Sequence, residues 1–389
     1  MKKIAFITNS VFTFGGEQRV VCIIANELAK KYDLTIFTTD EIDNHENLYS
    51  LSNQIKVKYF KPFSCNYVVK ALRFLTRFPL LKKIKNFQFI QKLFYYNKNT
   101  ATRLKNILES KNFDLIIAVS GELTMLLGLS LQYGLNCKTI GWEHNSFEAY
   151  FRTKGLLFYK MDKLWINCTK NIHRFILLNE DYVEKYKATF NSNCSYIYNP
   201  RSFVSKEKSS QEEKNFVACC RFVKGKGIDL LLESFLTFSN QDKEWKLLLV
   251  GDGPLLQEYK SFVKKHKLEK RVLFLGKRND IKDILLKSSV YVLSSRWEGF
   301  PMSLTEAYEV GLPAIFYDIP ATIPFNKNHE AICCKRYDTS DFANSMLKLA
   351  ENKELRKQLA NNAIKFADSI SIENIRDRWF FEINALLNS

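Results

Sequence analysis

The sequence predicts an α/β protein made of two doubly wound parallel sheets, and three observations carry that reading. At 389 residues the chain is too long for one ordinary core and fits two domains of about 190 residues each. Short apolar β-prone runs alternate with amphipathic helical stretches, the pattern of parallel strands joined by crossover helices. The alternation also restarts: after Pro200 a polar, Ser-rich and charged stretch, SFVSKEKSSQEEK, separates two such series.

The first series opens with a buried strand over Lys3–Thr8, a loop to Gly16, an amphipathic helix over 17–31 and a second strand over 34–38. The Gly15-Gly16 pair at the helix entrance lets backbone approach a ligand closely and offers N–H groups to a phosphate, although a plain tight turn reads the same way. Further strands are expected over Leu115–Val119, Lys138–Trp142, 164–167 and 174–178. The strand at 138–142 runs into Glu143-His144-Asn145. A strand before Asn199-Pro200 closes the series.

The second series begins with a strand over 216–220, a loop from Arg221 to Gly227 and an apolar-faced helix through Ile228, Leu231, Leu232 and Phe235. Arg221 and Lys226 on a strand-to-helix loop suit a diphosphate, one as a planar fork and one as a point charge. The strand over 245–250 ends in Gly251-Asp252-Gly253-Pro254, but Leu256 replaces the third glycine of a dinucleotide fingerprint, which excludes a nicotinamide site. Next come a strand over 272–275 and a loop over 276–281. The densest stretch is VYVLSSRWEGFPMSLTEAYEVGLPAIFY, 290–317. It reads as strand, polar loop, helix from Met302 to Val310 with Pro301 in the first turn and Gly311 as left-handed cap, then strand. Glu298 and Glu306 stand eight positions apart around this loop. Two carboxylates at the carboxyl end of such a sheet suit two sets of sugar hydroxyls, with a phosphate at the helix N-terminus between them. A short strand over Ala331–Cys334, a helical region over 341–367 and a last helix over Ile372–Leu387, with Ile375, Trp379, Ile383 and Leu386 on one stripe, end the chain.

Composition narrows the function classes. Hydrophobic content of 46% with 25% charged residues is that of a globular protein, and no window reaches the roughly 18 apolar residues of a membrane span. The apolar run after Met1-Lys2-Lys3 is too short for a signal peptide, so a cytoplasmic location is expected. None of the nine cysteines is in a C-x-x-C pattern, and the pairs Cys219-Cys220 and Cys333-Cys334 read as reduced core residues. Five histidines complete no metal signature. The net charge of +17 is concentrated: 47–108 holds 13 Lys or Arg, no acid and 12 Phe or Tyr, so the other 327 residues carry about +4. A nucleic-acid module would show its own motif, and none is present. The segment, with Phe74, Phe78, Phe87, Phe89, Phe94, Tyr95 and Tyr96, is expected to dock on an anionic membrane, while Phe60 and Phe63 adjoin a strand and suit a core.

Taken together, Gly15-Gly16-Glu17-Gln18-Arg19-Val20, the strand-end His144, Asn199-Pro200, Arg221 with Lys226, the GDGP turn and the E-x7-E stretch resemble, in order and over essentially the whole chain, the retaining family 4 (group 1) glycosyltransferases of the GT-B fold, of the bacterial surface-polysaccharide type. Cys220 departs from the glycine usual in that family. The resemblance implies two Rossmann-like domains facing a central cleft: 1–200 binding the acceptor, 201–370 binding the nucleotide sugar, and 371–389 crossing back to the first. It implies retaining transfer of a hexose or N-acetylhexosamine from a nucleotide-diphosphate sugar, expected to be UDP-linked, to a lipid-linked or membrane glycan acceptor. The catalytic residues would be Glu298, Arg221, Lys226 and His144. Donor binding would use Gly15, Gly16, Arg221, Lys226, Arg278, Glu298, Phe300, Pro301, Met302 and Glu306. No cofactor or metal is expected, since the chain has no D-x-D triplet. Two rivals remain open, a nucleotide-sugar epimerase of the same architecture and a catalytically silent partner subunit.

Overall fold

The computed structural model describes residues 1–40, 46–61, 96–154 and 158–389. The chain divides into two compact units, Met1–Asn199 with Ile372–Ser389, and Pro200–Ser371.

The first unit is built on a seven-stranded, wholly parallel sheet. Its strands are β1 (Lys3–Thr8), β2 (Asp33–Thr38), β3 (Lys56–Tyr59), β4 (Leu115–Val119), β5 (Lys138–Trp142), β6 (Arg174–Leu177) and β7 (Cys194–Tyr196), in the order β3-β2-β1-β4-β5-β6-β7. β1 and β4 are buried almost end to end, as strands covered on both faces must be. The helices are α1 (Gly16–Ala29), α2 (Lys98–Glu109), α3 (Gly121–Gln132), α4 (Asp162–Thr169) and α5 (Glu180–Phe190). Residues 164–167, expected as a strand, lie within α4: Leu164, Trp165 and Cys168 are buried while Ile166 is exposed, a one-sided burial of period near 3.6 rather than 2.

The terminal helix α12 (Ile372–Leu387) belongs to this first unit. Its expected stripe, Ile375, Trp379, Ile383 and Leu386, is buried. Trp379 meets Trp142 edge-on with ring centroids 4.8 Å apart, Tyr32 donates to Asn384 Oδ1 at 3.2 Å, and Arg174 pairs with the buried Glu382.

The second unit carries a six-stranded parallel sheet. Its strands are β8 (Asn215–Cys219), β9 (Lys246–Val250), β10 (Val272–Gly276), β11 (Val290–Leu293), β12 (Ala314–Tyr317) and β13 (Ala331–Cys334), in the order β10-β9-β8-β11-β12-β13. The helices are α6 (Ile228–Gln241), α7 (Leu256–Lys265), α8 (Ile281–Leu286), α9 (Met302–Glu309), α10 (Thr339–Glu351) and α11 (Lys353–Ser369). Phe216, Leu231, Phe235, Leu247, Val290, Ile315 and Phe342 form part of one buried core between sheet and helices. The helical region expected over 341–367 is two helices, because Asn352 ends α10 and its side chain caps Leu355 N of α11. Pro301 precedes α9 as its N-cap residue instead of sitting inside the first turn. Gly311 closes α9 at φ +73°, with its N–H on Tyr308 O and that of Leu312 on Ala307 O, the paired bonds of a left-handed C-cap. Cys333 faces solvent while Cys334 is buried, as the two-residue period of β13 requires, so only one of that pair is a core residue.

Of the basic, aromatic segment, Phe63, Phe74, Phe78, Phe87, Phe89, Phe94 and Tyr95 lie outside the described residues. Phe60 and Tyr96 are buried, Phe60 meeting Phe37 edge-on at 6.2 Å, so that part of the aromatic content is core. Among the described residues no helix is long and apolar enough to cross a membrane.

The packing of α12 generates a prediction. Trp379→Ala removes a fully buried indole from the first unit and should cost about 3–5 kcal/mol, read as a lower midpoint in urea unfolding. An unchanged midpoint would show that the helix contributes nothing to the unit's stability.

Candidate active site

In each sheet the chain runs outward on one side and then returns to build the other. The switch falls between β1 and β4 in the first unit and between β8 and β11 in the second. Loops that leave neighbouring strands at such a point diverge and open a crevice at the carboxyl edge. The chemistry-bearing residues of the sequence collect there.

In the second unit, the loop after β8 runs from Cys220 to Gly227 and ends in a short 3-10 turn, Lys224–Lys226. The loop after β11 runs from Ser294 to Pro301. The two are zipped together. Arg296 N–H donates to Gly225 O at 2.8 Å, Ser294 Oγ to Lys226 O at 3.1 Å, and the Arg296 guanidinium holds Asp229 with two bonds of 2.7 and 2.6 Å. Gly227 sits at φ +64°, and a Cβ there would lie 2.0 Å from Ser294 O, so a side chain is excluded both by conformation and by the close approach of the loops. Phe222 N–H donates to Asp252 O at 2.8 Å, tying the GDGP turn to the same loop.

The result is a cation and a carboxylate in contact. Lys226 Nζ lies 2.6 Å from Glu298 Oε1, which also accepts from Ser295 Oγ at 2.7 Å. Burial by itself would lower the Lys226 pKa, but the charge and hydrogen bond of Glu298 outweigh it and the ammonium is held above its ordinary value. Glu306 is buried in α9, close enough to Cys219 for its charge to help burial raise that thiol's pKa. Phe300 and Pro301 are buried at the start of α9, and Met302 is its first residue; the first N–H groups of a helix have no partners within it and suit an anion. Arg221 is exposed on the loop after β8. Arg278, on the loop after β10, is taken up by Asp280 through bonds of 2.7 and 2.5 Å. The structure therefore joins Lys226 to Glu298 directly, and it adds Ser295, for which the sequence carried no signal.

In the first unit the loop after β1 is pinned by Asp40, whose Oδ2 accepts from Ser10 Oγ at 2.7 Å and from Val11 N at 3.1 Å. Gly15 N–H donates to Tyr49 Oη at 2.8 Å, so it is not free, and the open donors of this loop begin at Gly16 in the first turn of α1. His144 follows β5, its ring 4.4 Å from that of Trp142 and tilted by 53° to it, and Trp142 in turn leans on Trp379. Burial pulls its pKa down to about 3, so the ring is neutral, and its Nε2 is buried with no hydrogen-bond partner.

Around His144 the structure reveals an acidic cluster that sequence reasoning passed over. Ser120, at the end of β4, donates to Glu17 Oε2 at 2.6 Å, and Thr124 Oγ1 lies 2.6 Å from Glu143 Oε1. Glu143 is 1% exposed, and the Tyr150 hydroxyl lies beside it as a second hydrogen-bonding neighbour. Ser120 holds φ 72°, ψ 148°, a region essentially reserved for glycine, which costs about 1–3 kcal/mol. The quoted sequence Glu143-His144-Asn145 contained the acid, but only burial makes it unusual. Among the described residues no group of three or more His, Cys, Asp or Glu is placed to hold a metal ion.

Burial drives the Glu143 pKa up to about 8, against the Thr124 and Tyr150 hydrogen bonds, which lower it, and with the Glu17 charge adding to the rise. An acid raised from its ordinary 4.5 binds a proton in the folded state that the unfolded chain has lost. Its contribution is full below about pH 4.5 and is lost as pH rises toward 8. Glu143→Gln should therefore flatten the fall in stability between pH 5.5 and 7.5, by up to about 1.4 kcal/mol per pH unit, in urea unfolding of both proteins. Parallel slopes for the two would show that Glu143 is ionised in the fold.

Known proteins resemble this chain over its whole length. Residues 201–366 match the family model described as glycosyl transferases group 1. An uncharacterised glycosyltransferase of Haemophilus influenzae is 25% identical over 387 residues, covering 97% of this chain and 99% of that protein. A Campylobacter jejuni GalNAc-alpha-(1->4)-GalNAc-alpha-(1->3)-diNAcBac-PP-undecaprenol alpha-1,4-N-acetyl-D-galactosaminyltransferase is 26% identical over 402 residues, covering both chains fully at 100%. Among solved structures, a mutant of S. aureus TarM, in complex with fondaparinux, alpha-GlcNAc-glycerol and UDP, superposes with a TM-score of 0.75 at 17% identity over 100% of both chains. With two parallel Rossmann-like sheets in the GT-B fold, relatives aligned from end to end and the family match lying on the second sheet, the chain is a glycosyltransferase whose residues 201–366 form a group 1 domain.

Proposed function

We propose that the protein is a retaining, metal-independent hexosyl- or N-acetylhexosaminyltransferase. It takes its sugar from a UDP-linked donor and delivers it to a hydroxyl of a lipid-linked glycan in surface-polysaccharide synthesis, at the cytoplasmic face of a membrane. The observation that carries the reading is the contact between Lys226 and Glu298 where two loops meet at the β8/β11 switch point. A diphosphate brings more negative charge than one carboxylate, so it would draw the ammonium and release Glu298 to accept from the sugar hydroxyls. Arg221, exposed on the same loop, would add a planar fork, and the start of α9 with Phe300, Pro301 and Met302 would line the phosphate and sugar. Glu306 would accept from ribose hydroxyls. Charge developing on the departing diphosphate would be met by Lys226 and Arg221, the task a divalent cation performs elsewhere. In the first unit, Gly16 and the neutral His144 would serve the donor phosphate and sugar, as the family resemblance implies, with Gly15, whose N–H is held by Tyr49, allowing close backbone approach.

The relatives support the choice of substrates. The TarM complex contains UDP, and the Campylobacter enzyme's name specifies a glycan on undecaprenyl diphosphate. Docking on an anionic leaflet through 47–108 rests on that segment's charge and aromatic content.

Lys226→Ala should lower turnover about 10²- to 10³-fold with an unchanged far-UV spectrum, and activity should survive excess chelator. Wild-type rates in the variant, or strict dependence on added Mn²⁺, would defeat the proposal. Glu306→Gln should weaken UDP binding by about 1.5–3 kcal/mol, measured by calorimetry. For the membrane, replacing Lys82, Lys83 and Lys85 by Glu should release the protein from anionic vesicles at about 0.15 M salt; sedimentation equal to wild type would rule out that patch.

A further inference from the structure

The loop that carries His144 is held by a side chain outside the proposed chemistry. After β5 the chain passes through Glu143-His144-Asn145 and enters a five-residue π-helical turn, Glu148–Arg152, a wide turn frequent at functional sites. That turn brings the Tyr150 hydroxyl back onto the residues just before it. The phenolic oxygen accepts the Gly121 N–H at 3.2 Å and a bond from the Asn145 side chain, and it donates to Glu143. One proton given and two taken is the full capacity of a hydroxyl.

Each of these bonds bears on His144. Glu143 and Asn145 are its two chain neighbours. Gly121 opens α3 at the end of β4, where Ser120 supplies no side-chain cap, so the tyrosine takes up a helix N–H that has no partner within the helix. The imidazole itself is held by packing: its Nε2 is buried without a hydrogen-bond partner, and Trp142 meets the ring tilted by 53°. A phenyl ring in place of Tyr150 would keep the contacts with Phe158, Phe151 and Trp165, whose centroids lie 5.1, 5.8 and 6.4 Å away. The ring therefore serves the core and the hydroxyl serves the loop. Tyr186 shows the contrast, a phenol buried in the same aromatic cluster whose hydroxyl has no hydrogen-bond partner among the described residues.

We infer that Tyr150 is a positioning residue for His144, acting on the reaction through the imidazole whose two neighbours its hydroxyl holds. This rests on the glycosyl-transfer reading, in which His144 serves the donor sugar.

The test is a double-mutant cycle on the full chain. The rate is release of UDP from UDP-glucose, UDP-galactose, UDP-N-acetylglucosamine or UDP-N-acetylgalactosamine, the fastest of these being used throughout. Tyr150→Phe should lower it about fivefold or more in the wild type and less than about twofold in a His144→Gln background, because a residue that acts only through the imidazole has nothing left to act on. Tyr186→Phe, which removes a hydroxyl that makes no bond, should leave the rate unchanged. The imidazole ¹H–¹⁵N signals of His144, assigned among the five histidines by their loss in His144→Gln, should move in Tyr150→Phe and stay in Tyr186→Phe. Equal losses in the two backgrounds, a wild-type rate in Tyr150→Phe or unmoved His144 signals overturn the assignment. Should Tyr150→Phe fail to fold, Asn145→Ala, which removes one of the three bonds from an exposed position, takes its place in the same cycle. A wild type that releases UDP from none of the donors defeats the transfer reading, and the His144 signals then decide by themselves whether Tyr150 holds that ring.

Discussion

The second unit depends on one electrostatic contact at the end of a parallel sheet. β8 and β11 are neighbours whose loops would diverge, and the Lys226 ammonium against the Glu298 carboxylate draws them together. The contact is half shielded from water, which makes it stronger than a surface pair and also makes it costly to leave either partner alone. The surrounding bonds share that load: Arg296 grips Asp229 in two places, and Gly227 admits the Ser294 carbonyl where any side chain would collide. Charges already fixed in place in this way would need little reorganisation to meet the diphosphate proposed above.

The first unit solves a different problem with the same topology. Its switch point holds neutralised groups in place of charged ones: a histidine stripped of its proton by burial and a glutamic acid that keeps one. Desolvation moves acids up and bases down, so a buried edge becomes a neutral hydrogen-bonding surface even where the residue types are ionisable. The two units thus present opposite chemistries. One holds a charged pair in contact, the other ionisable groups kept neutral by burial.

The terminal helix connects sequence order to this arrangement. α12 follows the second unit in the chain but packs on the first, through Trp379 against Trp142, which in turn packs against the tilted ring of His144. The indoles place a rigid aromatic floor beneath the imidazole, and the Arg174–Glu382 pair fixes the helix rotation beside them. A residue near the end of the chain therefore supports a side chain near its middle.

Much of this was legible in the residues themselves. Continuous apolar runs such as LIIAV and VYVL state buried parallel strands, the stripe Ile375, Trp379, Ile383 and Leu386 states a one-sided helix, and Gly311 before Pro313 states where α9 must stop. These are local properties, set by burial period and backbone conformation. Short apolar runs are not decisive in that way: 164–167 reads equally as strand or helix, and only the packing of Trp165 and Cys168 on one side made it α4. The loop residues carrying ionisable groups could be named from their spacing, but not which of them meet. That Lys226 meets Glu298, that Gly15 gives its N–H to Tyr49, and that Ser120 gives its hydroxyl proton to Glu17 follow from strand order, which brings segments 72, 34 and 103 positions apart to one edge. The protonation of Glu143 and His144 is likewise a tertiary fact, because the loss of water around a group belongs to the fold and to no stretch of sequence.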